Sequence, residues 1–312
     1  MSSERIAEPK PKGMPDAVLI AGPTASGKSA LALAVAERTG GAVVNVDAMQ
    51  LYRNLRILTA RPSAEDEARV PHRLYGILDA AERSSAGRFL GLAKDTLEEL
   101  RLAGRLPILV GGTGLYFEVL LQGIAAVPAV PEAVRESVER RLAREGAAAL
   151  HGELAARDPE TAQGIRPGDS LRIARALGVL EATGQGLKAH QRLAGHPPAL
   201  GGCVRKFVRI PPREAVYDAV ERRFDAMLAA GVLDEVAALR SRRLAPTLPL
   251  MRAHGVPELI AHLDGALSLD DAAARAKLNT RHYVKRQLSW ARRRMADWTW
   301  LDGATCSADL LA

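Results

Sequence analysis

Residues 22–29, Gly22-Pro-Thr-Ala-Ser-Gly-Lys-Ser29, set two glycines, a lysine and a hydroxyl in the spacing G-x-x-x-x-G-K-S. Glycines let the backbone curl until several N–H groups point into one cup, and the helix N-terminus behind the cup adds partial positive charge. Lys28 adds a full charge. A diphosphate or triphosphate fits such a cup, so Gly22, Pro23, Thr24, Ala25, Ser26, Gly27, Lys28 and Ser29 are candidate phosphate-binding residues. The Ser29 hydroxyl is the candidate ligand for Mg²⁺. An apolar run, Ala17–Ala21, precedes the loop and Ala30–Glu37 follows it, which is the strand, loop, helix order the motif requires.

A second group with chemical potential is Asp47, within Asn45-Val-Asp-Ala-Met-Gln-Leu-Tyr52. Phosphotransferases built on this loop generally carry another acid at a strand end to complete the metal shell. Here the strand at 107–110 opens into Gly111-Gly-Thr-Gly114 without one, so Asp47 is the only carboxylate at a strand end. It can serve as metal ligand, as general base, or only as the turn residue after a strand. A third group is the basic helix Arg281–Arg294, six Lys/Arg in fourteen residues with Tyr283 and Trp290 among them. Arg281, Lys285 and Arg292 fall on one side of it. Such a stripe neutralises a phosphate backbone while aromatic faces stack on unpaired bases, or it is a solvated basic face.

These groups need a scaffold that brings strand ends together. Strands are expected at 17–21, 42–46 and 107–110, with helices at 28–39 (stopped by Gly40-Gly41), 85–103 and from about 114. That alternation implies an α/β fold, a P-loop NTPase-like doubly wound parallel sheet with ligands beyond the strand C-termini. From Val127-Pro-Ala-Val-Pro131 the pattern turns helical, with helices at 131–145 and 169–182, the second capped by Asp169 or Ser170. No strand is expected again before 205–210, after which helices follow at 213–230, 232–242, 256–263 and 270–296. The expected organisation is a core of 14–126 and 202–304, an all-helical insertion of 127–200, and a disordered tail of 1–13. On the insertion, Ile173, Leu177 and Leu180 share one face with Arg172 and Arg175 opposite.

Composition narrows the function classes. With 312 residues, 47% hydrophobic and 25% charged, the chain can bury a full core, and its net charge of +7 suggests a polyanionic partner. No run of about 18 apolar residues and no hydrophobic segment behind a basic start occur, so a cytoplasmic protein with no membrane span is expected. Cys203 and Cys306 are too far apart in sequence to suggest a metal site and read as free thiols.

Taken together, Gly22–Ser29, Asp47-Ala-Met-Gln-Leu-Tyr52, Thr59-Ala-Arg-Pro62, Pro71-His-Arg-Leu74, Gly111–Tyr116, Arg172-Ile-Ala-Arg-Ala-Leu177 and Lys285-Arg-Gln-Leu-Ser-Trp290 resemble the tRNA dimethylallyltransferases, also called tRNA isopentenyltransferases or IPP transferases. Seven motifs occur in family order between about residues 15 and 300. The resemblance implies a prenyltransferase that moves a dimethylallyl group from dimethylallyl diphosphate to N6 of adenosine 37 in tRNAs reading codons that begin with U. The loop would then hold the diphosphate of the donor, with Mg²⁺ as cofactor. It further implies Asp47 as the base, Lys28 and Ser29 on the diphosphate, and Thr113 and Arg223 near the diphosphate and target base. Contacts to the anticodon stem-loop are implied for Asp47, Ala48, Met49, Gln50, Thr113, Arg135, Leu171, Arg172, Ile173, Ala174, Arg175, Arg252, Lys285, Arg286, Gln287, Trp290 and Arg292. A monomer is expected. The sequence departs from the family pattern at Ala48, where Ser is common, at Val256-Pro257, and at Ala219. A P-loop kinase for a small molecule and a non-catalytic RNA-binding protein are the alternatives; each leaves one of the three groups idle.

Overall fold

The computed structural model describes residues 15–302 and Leu310, so the expected tail of 1–13 and Cys306 lie outside the described residues. By their contacts the described residues divide into two compact units, one running up to Leu121 and again from Ala199, and the other of Gln122–Pro198. The second unit therefore starts and ends a few residues earlier than the linker at 127–131 suggests.

In the larger unit, β1 (Ala17–Ala21), α1 (Lys28–Thr39), β2 (Ala42–Asn45), α2 (Ala64–Arg69), β3 (His72–Arg73), α3 (Ala86–Leu102), β4 (Pro107–Gly111) and α4 (Gly114–Gln122) form the first half. The six strands of the sheet run in the order β3-β2-β4-β1-β5-β6, all parallel, with β5 (Val204–Arg209) and β6 (Thr299–Leu301) from the carboxy-terminal part. β1 and β4 are continuous apolar runs because helices cover both faces of a parallel sheet, and every residue of both is buried. Each fully buried Leu or Ile there contributes about 1.5–3 kcal/mol.

Register decides what the strands present. Ala21 pairs with Gly111 and Asn45 with Val110, so β1, β2 and β4 end level with one another. Three loops leave that edge: residues 22–27, residues 46–50 and residues 112–113. They approach closely, since a Cβ at Gly111 would lie 2.0 Å from the Val46 carbonyl oxygen; only glycine fits. α10 (Arg213–Ala229), α11 (Val232–Ser241), α12 (Val256–Leu263) and α13 (Leu269–Arg294) complete the unit, with Val216, Val220 and Val284 joining α10 to α13. The chain returns beside its own exit, because Ala199 and Leu200 both donate backbone N–H bonds to the Leu120 carbonyl.

The smaller unit holds α5 (Glu132–Glu145), α6 (Ala147–Arg157), α7 (Pro159–Gln163), α8 (Ser170–Thr183) and α9 (Leu187–Gln191). These helices close on their own core of Val138, Leu150, Leu154, Ile173, Ala176, Leu177 and neighbours. Asp169 caps α8 by accepting the Arg172 N–H, as its residue type favours. Among the described residues no helix is long and apolar enough to cross a membrane.

Candidate active site

The loop after β1 folds as its spacing requires. Gly27 takes φ 77° as the N-cap of α1, a left-handed conformation that favours glycine, and Lys28 begins the helix. The Lys28 ammonium donates to the Pro23 carbonyl at 3.1 Å. The Arg209 guanidinium, from the end of β5, supports the loop from outside by donating to the Ser26 carbonyl at 3.0 Å. Ser26 is buried with an unpartnered hydroxyl, whereas Ser29 is exposed at the helix start.

Asp47 is held by its neighbours. The buried Asn45 accepts the Asp47 N–H at 2.8 Å and donates its amide to the Asp47 and Leu74 carbonyls, both at 3.0 Å. Asp47 Oδ1 accepts the Met49 N–H at 3.0 Å. Thr113 Oγ1, from the loop after β4, accepts the Ala48 N–H at 3.0 Å. On the side of residue 48 that bond uses backbone alone, so Ala there does not disturb it. Farther along, Gln50 donates its amide to the Thr59 and Ala60 carbonyls at 2.9 Å, and Glu235 accepts the N–H groups of Arg56, Ile57 and Leu58. The stretch 47–60 is thus fixed to the core by side chains from three elements.

Two cations converge on Asp47. Burial lowers the Lys28 ammonium to a pKa of about 8, opposed by Asp47 and assisted by Arg223. Burial also lowers the Arg223 guanidinium, against the pull of Asp47. In the ligand-free protein Lys28 therefore loses its charge as pH rises through about 8, and an arriving diphosphate restores it. Pyrophosphate affinity, titrated calorimetrically for the wild type and for Lys28→Arg, whose charge does not titrate here, checks this. The wild-type-to-variant ratio is expected to fall about 20-fold between about pH 7.5 and 9.5. A constant ratio contradicts a neutralisable Lys28.

Cavities lie on either side of this arrangement. Thr24, Asp47, Met49, Arg223, His254 and Tyr283 line one, with apolar walls from Leu58, Val220, Phe224 and Met227. The other, about 260 Å³, is bounded by Gly22, Pro23, the loop 111–115, Phe117, Tyr283, Gln287 and Trp290. Tyr283 lines both; burial raises its phenol, and the nearby Asp47 adds to the rise. The His254 ring lies 4.8 Å from the Tyr283 ring, and burial with Arg286 nearby lowers its imidazole despite Glu258 and Asp47.

The sequence-derived candidates do not all gather in one place. Gly22–Ser29, Asp47–Gln50, Thr113, Arg223 and Gln287 belong to this cluster of loops and cavities. Tyr283, Gln287 and Trp290, at spacings of four and three on α13, face the cavities and not an outer stripe, because that face of the helix packs inward with Val284 and Ala291. Lys285, Arg286 and Arg292 are exposed on the same helix, whereas Arg281 pairs with Glu221 at 3.2 Å. Arg252 is exposed, and Val256, at the departure from the family pattern, is fully buried at the start of α12. In the smaller unit Leu171, Arg172 and Arg175 are exposed, and Arg135 donates to the Val130 carbonyl at 2.9 Å. Ile173 is a correction: it is 0% exposed in the core of that unit, so its side chain offers no surface to RNA, and Ala174 is half-buried beside it. Asn45 was not legible as a site residue, although a polar residue ending the apolar run Ala42-Val-Val-Asn45 is a signal of it.

A family model described as IPP transferase matches residues 50–294, and one described as isopentenyl transferase matches residues 15–84. The chain is 54% identical to a tRNA dimethylallyltransferase of Nitrobacter hamburgensis over 96% of its own length and 94% of the relative's. It is 55% identical to one of Bradyrhizobium sp. over 93% and 95%. The solved full-length tRNA isopentenylpyrophosphate transferase of Bacillus halodurans superposes with a TM-score of 0.66 at 34% identity, covering 94% of this chain and 92% of that one. A eukaryotic dimethylallyltransferase, solved acting on tRNA, shares the fold with a TM-score of 0.76 at 24% identity, over 92% and 73%. With a family match over most of its length and relatives more than half identical from end to end, the chain belongs to the tRNA dimethylallyltransferase, or IPP transferase, family.

Proposed function

We propose that this protein transfers the dimethylallyl group of dimethylallyl diphosphate to N6 of adenosine 37 in tRNAs reading codons that begin with U, releasing diphosphate. The observation that carries the reading is the meeting of Asp47 with Thr24 of the phosphate-binding loop on one cavity, beside two cations, Lys28 and Arg223. A phosphate cup alone fits many reactions; a cup facing a carboxylate across a cavity walled by Leu58, Phe224 and Met227 fits a donor whose carbon meets a nitrogen nucleophile.

The adenine N6 lone pair is delocalised into its ring, so the nitrogen attacks only an activated carbon. The new N6–C1 bond forms as the C1–O bond to the diphosphate breaks, and the electron pair leaves with the diphosphate. The loop N–H groups and Lys28 stabilise the negative charge that builds on the departing oxygen. Asp47 takes the N6 proton, with Asn45 and Met49 fixing its backbone and one carboxylate oxygen. Arg223 counters the charge of Asp47 before the proton moves. The adenine reaches Asp47 by leaving the anticodon-loop stack, at a cost of a few kcal/mol.

The donor set present suits Mg²⁺. Ser29 is an exposed hydroxyl at the helix start, and among the described residues no three His, Cys, Asp or Glu gather to hold a metal by themselves, which matches an ion held mainly by substrate phosphates and water. Bound there, Mg²⁺ supplies further positive charge to the diphosphate.

The anticodon stem-loop meets exposed cations. Arg172 and Arg175 project from α8, Lys285, Arg286 and Arg292 from α13, and Arg252 precedes α12. Replacing Arg172 and Arg175 together by Ala weakens stem-loop binding and reduces the slope of log K against log salt by about 1.5. Filter binding across a salt series measures it, and an unaltered slope makes these two arginines a solvated surface.

The reading as a whole is tested by incubating purified protein with Mg²⁺, unmodified tRNA and either labelled dimethylallyl diphosphate or labelled ATP, then digesting the RNA to nucleosides. Label on an N6-modified adenosine, from the prenyl donor alone and lost when the tRNA carries another base at position 37, is expected. Consumption of ATP without prenyl transfer makes the protein a kinase.

A further inference from the structure

Donor and acceptor chemistry stand on different loops here, so neither element alone sets the spacing between them. One side chain spans the gap. Gln287 Oε1 accepts the Thr24 N–H of the phosphate-binding loop at 3.0 Å, and its Nε2 donates to the Gly112 carbonyl at 2.9 Å. From Gly112 the path continues through Thr113, whose N–H donates to the Val46 carbonyl at 3.2 Å and whose Oγ1 accepts the Ala48 N–H at 3.0 Å. Asp47 lies between Val46 and Ala48. Two hydrogen bonds of a single amide, the peptide link from Gly112 to Thr113 and two hydrogen bonds of Thr113 thus connect the diphosphate cup to both residues that flank the carboxylate.

The packing at that point is close. A Cβ on Gly112 would come within 2.3 Å of Gln287 Nε2 and 3.4 Å of Asp47 Oδ2, so the loop after β4 lies close to both the amide and the carboxylate, and a side chain there would press on the amide. Gln287 also marks the boundary between the two cavities. Thr24, its acceptor-side partner, lines the Asp47 cavity; Gly112, its other partner, lines the 260 Å³ cavity, as Gln287 itself does.

The geometry points to Gln287 as a positioning residue that sets the distance between the diphosphate loop and the Asp47 loop, and that holds the partition between the two cavities. This inference rests on the transfer reading above. It departs from the expectation that Gln287 contacts tRNA, because both ends of the amide are engaged within the protein. A planar amide offers an acceptor and a donor at fixed separation, which Met, Lys and ionised Glu cannot do. Without it the Thr24 N–H and Gly112 carbonyl lose their partner, and the two loops are free to shift. Misplacement of reacting groups by about an ångström costs about 100-fold in rate.

The test uses the full chain and two variants. Gln287→Met keeps length and removes both hydrogen bonds; Gln287→Glu keeps the acceptor for Thr24 and, when ionised, loses the donor to Gly112. Single-turnover transfer is measured with saturating dimethylallyl diphosphate and anticodon stem-loop, alongside separate binding of pyrophosphate and of stem-loop. The saturated rate of Gln287→Met is expected to fall about 100-fold, while both binding constants change by less than about threefold. When protonated, the carboxyl introduced by Gln287→Glu again presents one donor and one acceptor, so the rate of that variant relative to wild type rises as pH falls from about 8 to about 5.5. A residue that only fills space gives no such pH dependence. A saturated rate of Gln287→Met close to wild type overturns the inference alone, and a loss confined to stem-loop affinity makes Gln287 an RNA contact instead. A wild type that transfers no label sinks the transfer reading, and this inference with it.

Discussion

Asp47→Asn slows prenyl transfer by at least ~100-fold at saturating substrates while leaving tRNA affinity nearly unchanged. The substitution keeps Oδ1 as the acceptor for the Met49 N–H and leaves the Asn45 and Thr113 bonds to the backbone untouched. Only the basic oxygen is lost, the one nearest Gly112. Two effects on diphosphate binding oppose each other. Removing a negative charge near the cup favours an anion, yet Asp47 also helps keep Lys28 protonated. Binding of pyrophosphate therefore stays close to wild type, and the loss appears in the chemical step. A rapid-quench measurement separates the two, and a nearly normal rate removes Asp47 from the role of base.

Lys28→Ala acts on the other end of the reaction. The ammonium is the one full positive charge carried by the loop 22–29, and burial away from water increases its effect on a nearby anion. Its removal is expected to weaken pyrophosphate binding and to lower the transfer rate by about 10²–10³-fold, the range for a lost donor to a developing negative charge. Stem-loop binding in the absence of donor serves as the control and remains unchanged. If the donor KM and the rate are both normal, the loop does not hold the diphosphate.

Much of this was legible in the residues, for physical reasons that differ by element. The phosphate loop demands particular residue types at fixed offsets, because a cup of N–H groups needs glycine where φ is positive, as at Gly27. β1 and β4 were legible because a parallel sheet covered on both faces needs unbroken apolar runs. β3 and β6 are only two and three residues long and carry no period to read. α2 has no buried residue, so hydrophobic spacing could not reveal it; its only mark was Ser63 with Asp66, which form a reciprocal cap. The basic helix was read from its charges, and the cations are indeed on the outside at Lys285 and Arg292. Its aromatics pointed elsewhere. Tyr283, Gln287 and Trp290 recur at helical spacing, and that period marks one inward face as clearly as the arginines mark the outward one. Asn45 had no pattern of its own, since what makes it a site residue is contact with chain far away in sequence, at the Leu74 carbonyl.

The central claim concerns what the loop 22–29 holds. It is tested most directly by a crystal structure of the protein with the anticodon stem-loop and a thio-substituted dimethylallyl diphosphate that cannot be cleaved. The account predicts the diphosphate on the loop amides and Lys28, the prenyl carbon turned toward the Asp47 cavity, and an unstacked adenine with N6 at the carboxylate. Diphosphate bound away from the loop, or an adenine that never enters the cavity of Thr24, Asp47 and Arg223, contradicts it.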